Sequence, residues 1–150
     1  MRAIVLFPIL AASLFLHVQA AYADEGIAQF KKISGSVYVE REGKRLDARV
    51  GNYLQQHDSI LTGADGSAGI TFADNSLLSL GPNSTLVIDR FVYDSTTHEG
   101  KFDSSLKKGT LSVVSGKIVK QTPGAMTVRT PSAILGTRGT EFVVHADGGK

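Results

Sequence analysis

Asp65-Gly66-Ser67-Ala68-Gly69-Ile70-Thr71-Phe72-Ala73-Asp74-Asn75-Ser76-Leu77-Leu78-Ser79-Leu80-Gly81-Pro82-Asn83-Ser84-Thr85-Leu86-Val87-Ile88 alternates short apolar runs with turn residues. Asp65-Gly66, Asp74-Asn75 and Gly81-Pro82-Asn83 are turn signals, because Gly and Asn accept left-handed backbone and Pro presets a turn. Between them Ile70 and Phe72, then Leu86 and Ile88, recur with the period of two that a half-buried strand requires. The three apolar segments open at Ser67, Ser76 and Ser84, intervals of about nine residues. A turn followed by inward-pointing apolar alternation fits one rung of a β-solenoid, which buries its apolar face by stacking on neighbours. It fits the spacing of an ordinary meander or sandwich equally well.

The same punctuation extends in both directions. Upstream, Ser36-Val37-Tyr38-Val39-Glu40 alternates before the turn Glu42-Gly43, and Ser59-Ile60-Leu61-Thr62 is a short apolar run. Downstream, Thr85 to Tyr93 is the longest strand, Thr96 to Gly100 a hairpin tip and Lys101 to Leu106 its return. Gly109 breaks the pattern, which resumes at Thr110 to Val114, Met126 to Thr130 and Glu141 to His145. A turn around Tyr53-Leu54-Gln55-Gln56 is the best helical candidate. The reading is therefore all-β, a single solenoid-like or sandwich-like domain of many short strands.

The first residues read differently. Met1-Arg2 is a short positive start, Ile4 to Leu16 is an uncharged apolar run, and Ala21-Tyr22-Ala23 has the small-x-small pattern of a processing site. This is a cleavable secretory signal over residues 1–23, with cleavage expected between Ala23 and Asp24; Val18-Gln19-Ala20 is a second possible site. The run is shorter than the roughly 20 apolar residues of a span. The exported chain, residues 24–150, is expected not to insert stably in a membrane and is long enough to bury roughly two-thirds of its unfolded surface. It has no Cys, which leaves no disulfide, no thiolate metal site, no cysteine nucleophile and no lipid attachment at the cleavage site.

The formal charge of +2 is small. Its basic pairs, Lys31-Lys32, Lys44-Arg45 and Lys107-Lys108, form no stripe with aromatic platforms, so a nucleic-acid partner is not expected. Ser, His and Asp are present, but there is no nucleophile elbow. His57, His98 and His145 have no ligand-like spacing, and the Asp-Gly and Asp-Asn turns lack the oxygen series of a calcium loop. Glu40 and Glu42 would share a face of one strand, beside Arg41 and Lys44. No acid–base or nucleophile constellation assembles, so the chain reads as non-enzymatic and without cofactor.

One segment stands out: Gly136-Thr137-Arg138-Gly139-Thr140-Glu141. Its glycines would let the backbone turn sharply, and Arg138 offers a fork that suits a carboxylate or phosphate. Thr137, Arg138 and Glu141 are the candidate partner- or ligand-binding residues. Against this stands a structural reading in which Gly136 and Gly139 form a corner and Arg138 pairs with Glu141.

The opening run from Asp65 to Leu86, together with Leu106-Lys107-Lys108-Gly109-Thr110-Leu111 and Thr130-Pro131-Ser132-Ala133-Ile134-Leu135-Gly136-Thr137-Arg138-Gly139-Thr140-Glu141-Phe142, resembles the FecR domain. Gly35-Ser36-Val37 and Leu54 to Gly63 fit as well, so the resemblance runs from about Gly26 to His145. It implies a periplasmic β-rich domain of a Gram-negative bacterium. The best-known members of the family relay a signal from an outer-membrane transporter through a membrane span to a cytoplasmic anti-sigma region. No cytoplasmic region or span is read here, so the relay does not carry over. Stand-alone exported members resemble it better, and for those the family implies no shared activity; the leading reading is a non-catalytic interaction module whose partner is another envelope protein, and the alternative is a binder of a small molecule or cell-wall glycan. It also implies a further strand after Ala146-Asp147-Gly148-Gly149, where the sequence reaches Lys150. The last rung is then either missing or exposed as an edge open to another strand.

Overall fold

The three apolar runs between Ser67 and Ile88 fold as extended strands whose alternate side chains enter one core. They are β6 (Ser67–Phe72), β7 (Leu77–Leu80) and β8 (Thr85–Tyr93). Ala68, Ile70, Phe72, Leu78, Leu80, Leu86 and Ile88 are all buried, as period-two patterning requires. The computed structural model describes residues 26–149; the expected signal segment and its Ala23–Asp24 cleavage site lie outside the described residues.

Before these come β1 (Ala28–Ser34), β2 (Val37–Arg41), β3 (Lys44–Asp47), β4 (Tyr53–Leu54) and β5 (Ser59–Thr62). After them come β9 (Gly100–Val114), the helix α1 (Lys117–Gln121), β10 (Met126–Arg129), β11 (Ile134–Gly136) and β12 (Glu141–Ala146). The chain is all-β, one curled sheet with the path β3-β2-β5-β8-β9-β7-β6-β1-β4. Among the described strands every pairing is antiparallel except that of β10 with β9. Of the segments repeating at about nine residues, β6 and β7 are antiparallel neighbours, while β9 lies between β7 and β8. No helix of the described residues is long and apolar enough to cross a membrane.

β9 is the spine. Its first half pairs with β8 on one side and β10 on the other; its second half pairs with β7 and β12. The inward phase changes on the way: Phe102, Ser104 and Leu106 are buried, then Leu111 and Val113. The register slips between Thr85/Lys108 and Leu86/Leu106, a bulge that turns two consecutive lysines, Lys107 and Lys108, outward. Gly109 therefore bends the strand rather than ending it. Its φ is +93°, and a Cβ there would lie 2.0 Å from Ser84 Oγ. The bend brings the two halves of the sheet face to face around Phe72, Phe91 and Phe102, whose ring centroids are 4.4–5.2 Å apart.

The helical turn expected at Tyr53–Gln56 is not formed: Tyr53-Leu54 is the strand β4, pairing with β1. Leu54 is fully buried there, and core packing overrides the local preference. The helix lies at Lys117–Gln121 instead, where its first turn meets Asp74. Lys117 N–H donates to the Asp74 carbonyl at 2.8 Å, and Ile118 N–H to the Asp74 carboxylate at 3.3 Å. Ser76 Oγ, held by Asp74 at 2.8 Å, accepts from Gly116 N–H at 3.0 Å. The Asp74-Asn75-Ser76 turn is a cap supplied from another part of the chain, satisfying the orphan donors of the helix start. Glu40 and Glu42 do not share a strand face either, since β2 ends at Arg41 and Glu42 occupies the turn at φ +50°.

Candidate functional site

The β10–β11 hairpin presents the segment singled out in the sequence. Thr130 closes its tip, its N–H donating to the Ala133 carbonyl at 2.8 Å while its hydroxyl accepts from Ala133 N–H at 3.1 Å. Beyond β11 the ladder continues through Thr137, whose N–H donates to the Met126 carbonyl at 3.0 Å and whose carbonyl accepts from Gly124 N–H at 2.9 Å. Thr137 is buried, and its hydroxyl has no partner among the described residues. Two residues later the chain is pinned again: Ser115 Oγ donates to the Gly139 carbonyl at 3.0 Å and Ser115 N–H to the Thr140 carbonyl at 2.7 Å.

Arg138 sits between these anchors on an exposed bridge, and Glu141 opens β12. Neither side chain takes part in a hydrogen bond or ion pair among the described residues; the expected Arg138–Glu141 pairing is not formed. The backbone geometry also differs from expectation. Neither Gly136 nor Gly139 has a positive φ, and a Cβ on either would meet nothing within 4 Å. Anchoring by Thr137 and Ser115, not glycine freedom, shapes this bridge. Beside it lies an open hollow of about 300 Å³ lined by Leu135, Arg138, Glu141, Phe142 and Val143.

The three histidines are on separate elements. His57 occupies a turn at φ +72°, His98 stacks on Tyr93 at 6.2 Å, and His145 contacts Thr110 Oγ1 at 2.9 Å and Asp147 at 3.1 Å. Among the described residues no group of three His, Asp or Glu is placed to hold a metal ion. The carboxylates whose proton affinity the fold lowers lie at turns. Asp65 is held down by the backbone N–H of Ser36, and Asp94 by those of Thr97 and Thr96.

A charged pair that sequence reasoning missed ties the end of β2 to the turn before β5. Asp58 is buried and accepts from Arg41 Nε at 2.8 Å and Nη2 at 2.7 Å, and from Gln55 N–H at 2.8 Å. Arg41 also donates to the Tyr53 carbonyl at 3.2 Å. A second hollow of about 350 Å³, lined by Arg41, Leu46 and the half-exposed Tyr53, opens above this pair.

The FecR protein family model matches residues 58–150. The chain belongs to the FecR family. The match begins at Asp58 and takes in the Asp74-Asn75-Ser76 cap, the spine β9 and the Arg138 bridge, so each of these is part of the FecR region. β1 to β4 precede it and complete the same sheet. Comparison with curated proteins and with solved structures finds no match.

Proposed function

We propose that this FecR-family chain is a non-enzymatic, periplasmic protein-interaction module that docks another envelope protein in signalling or assembly. The observation that carries the proposal is the unpaired, exposed Arg138–Glu141 bridge, fixed by its backbone at both ends beside apolar Leu135 and Val143. A rigid loop with unneutralised charge next to exposed apolar surface suits a protein partner: the charges orient it and the apolar groups contribute the buried area. Arg138 is the anion-reading contact, Glu141 the second charged contact, and Thr137 positions both. Export through the Sec-type signal places the module in the Gram-negative envelope. Mass spectrometry of the purified protein checks this, with Asp24 expected as its first residue.

The test is affinity capture. The tagged chain, expressed in full and cross-linked in an envelope extract, is expected to retain a specific envelope protein. Arg138→Ala is expected to lose it with thermal unfolding unchanged. An Arg138→Ala protein that unfolds makes this residue a structural element instead. A second reading, a binder of a small molecule or cell-wall glycan, is favoured by exposed Tyr53 beside the Arg41–Leu46 hollow; retention of glycan and no protein would move it ahead.

A further inference from the structure

The sheet path begins at β3 and ends at β4, and these strands are consecutive in the sequence, joined by residues 48–52. The curl of the sheet therefore carries its last edge round towards its first. The two edges do not pair with each other. Between them lies the hollow of about 350 Å³, lined by Leu46 and Asp47 from β3 and by Asn52 and Tyr53 at β4. Every residue around it falls between positions 39 and 55, remote in sequence from both termini.

Strand phase accounts for what lines this seam. Val37 and Val39 of β2 point into the core and are buried. Leu46 lies opposite Val39 in the register and so shares its inward face, yet it is 44 % exposed. Arg41 is the next inward residue of β2; it holds Asp58 and donates to the Tyr53 carbonyl at 3.2 Å, tying β2 to β4 across the seam. The link between the edges is pinned to β1: Gly51 N–H donates to the Phe30 carbonyl at 2.8 Å, and Phe30 N–H to the Asn52 carbonyl at 3.0 Å. The walls are thus fixed in advance of any ligand, which lowers the entropy cost of binding. Val39 and Leu46 supply an apolar floor, and half-exposed Tyr53 an aromatic surface with a polar tip. The Asp47 carboxylate takes part in no hydrogen bond or ion pair among the described residues and can only accept. Asn52 Oδ1 accepts the Arg49 N–H at 2.9 Å, which leaves its amide nitrogen to donate.

We propose that this seam binds a neutral saccharide unit, its C–H face on Tyr53 and Leu46, one hydroxyl donating to Asp47 and a neighbouring one accepting from Asn52. Few convergent polar groups around an apolar floor are what a small-molecule site requires, and a sugar carries donors, acceptors and an apolar face together. Charge disfavours the other ligand classes. Arg41 on the floor repels a cation and is already neutralised by Asp58, while Asp47 on the rim repels an anion. An extended peptide would have to add to β3, whose Lys44, Arg45 and Asp47 blunt the edge. The site rests on the glycan reading of this hollow and gives that reading its residues; it is independent of the Arg138 bridge, so one chain can dock a protein and hold a glycan.

The test is calorimetric titration of protein expressed from the full sequence with tetramers of N-acetylglucosamine and of glucose, with amide chemical shifts to locate the site. At least one tetramer is expected to bind, with its shifts centred on residues 39–55. Tyr53→Ala is expected to weaken binding roughly tenfold by removing the stacking surface, and Tyr53→Phe to keep most of it. Asp47→Ala, at an exposed side chain without partners and so harmless to folding, is expected to weaken binding roughly tenfold as well. Arg138→Ala is expected to bind sugar as the wild type does. Failure of both tetramers overturns the site, and so does sugar binding that is indifferent to the Tyr53 and Asp47 variants. Shifts at these amides from a lysine-rich or glutamate-rich peptide, with none from sugar, overturn the saccharide assignment and make the seam a peptide site. Sugar failure with Arg138-dependent capture of an envelope protein intact removes the seam while leaving the docking function standing.

Discussion

Arg41 grips the buried carboxylate of Asp58 with two guanidinium nitrogens, at 2.8 and 2.7 Å. Arg41 ends β2, outside the region matched by the family, and Asp58 is the first residue inside it. The pair bolts the early strands to the FecR region. Both of its partners for the acid are local to this junction, since Gln55 N–H is the third donor. A buried charge left without its counter-ion is costly, about 3–5 kcal/mol. Arg41→Ala is expected to lower unfolding stability by about that amount, measured by urea titration, and Arg41→Lys to recover only part of it because an ammonium cannot make the bidentate contact. An Arg41→Ala protein as stable as the wild type would show that the fork contributes nothing.

Gly109→Ala should be among the most damaging single-methyl changes in the chain. The residue sits at φ +93° with Ser84 Oγ 2.0 Å from the added Cβ. Left-handed backbone costs a non-glycine residue about 1–2 kcal/mol and overpacking about 1–3 kcal/mol more. Ser84 Oγ also accepts the Thr110 N–H at 3.0 Å, so moving it aside breaks the tie between β8 and the bend in β9. A loss of about 3 kcal/mol is expected. Gly136→Ala serves as the contrast: with nothing within 4 Å of its Cβ and no positive φ, it is expected to change stability by less than about 0.5 kcal/mol.

The contrast between these glycines marks how far the sequence was readable. Strands β2 and β5 to β8 were legible because their period-two apolar residues face one core, and turn residues separate them. β1 was not, because its Lys31-Lys32 pair sits at a register shift between Phe30 and Lys32 that interrupts the alternation. The bend at Gly109 read as a strand end, since a bulge and a terminus both break periodicity. The helix at Lys117 was invisible for a different reason: its cap comes from Asp74, and its own N-cap, Gly116, makes no side-chain hydrogen bond. At the candidate site, Arg138 and its neighbours could be singled out by residue type. Thr137's anchoring to Met126 and Ser115's hold on Gly139 and Thr140 are long-range contacts that no local pattern encodes.

Acid should destabilise the fold in part through two exposed turns. Asp65 accepts the Ser36 N–H at 3.3 Å, and its pKa lies below the ordinary 3.8, chiefly because of that bond; Asp94 is lowered by Thr97 and Thr96. A carboxylate whose folded pKa is depressed contributes stability that is present above its unfolded pKa and is lost as pH falls through the folded value. Both groups therefore act in the window below pH 3.8. Asp65→Asn is expected to flatten the acid limb of the stability curve while leaving its shape at neutral pH unchanged. Melting curves across that range check it, and an unaltered acid limb would remove Asp65 from the account.

The Asp74 cap makes the sharpest stability prediction within the family-matched region. Asp74 and Ser76 are fully buried, and together they receive Ser76 N–H, Ile118 N–H and Gly116 N–H at 3.0–3.3 Å. Asp74→Ala removes the carboxylate and leaves buried donors unsatisfied, each costing about 1–3 kcal/mol. Ser76→Ala frees Gly116 N–H and takes one hydroxyl donor from the Asp74 carboxylate, which keeps the Ser76 and Ile118 N–H groups, and should cost less. Because Ile118 and Val119 are core residues carried by the helix that this cap starts, the damage is not confined to the turn: amide exchange in Lys117–Gln121 is expected to rise above the global-unfolding rate, through local opening of the helix, in Asp74→Ala. Gly116 cannot be altered to compensate, since a Cβ there would lie 2.3 Å from the Asp74 carbonyl. Preserved exchange protection in the helix of Asp74→Ala would mean that packing of Ile118 and Val119 alone holds it, and that the buried acid has some other role.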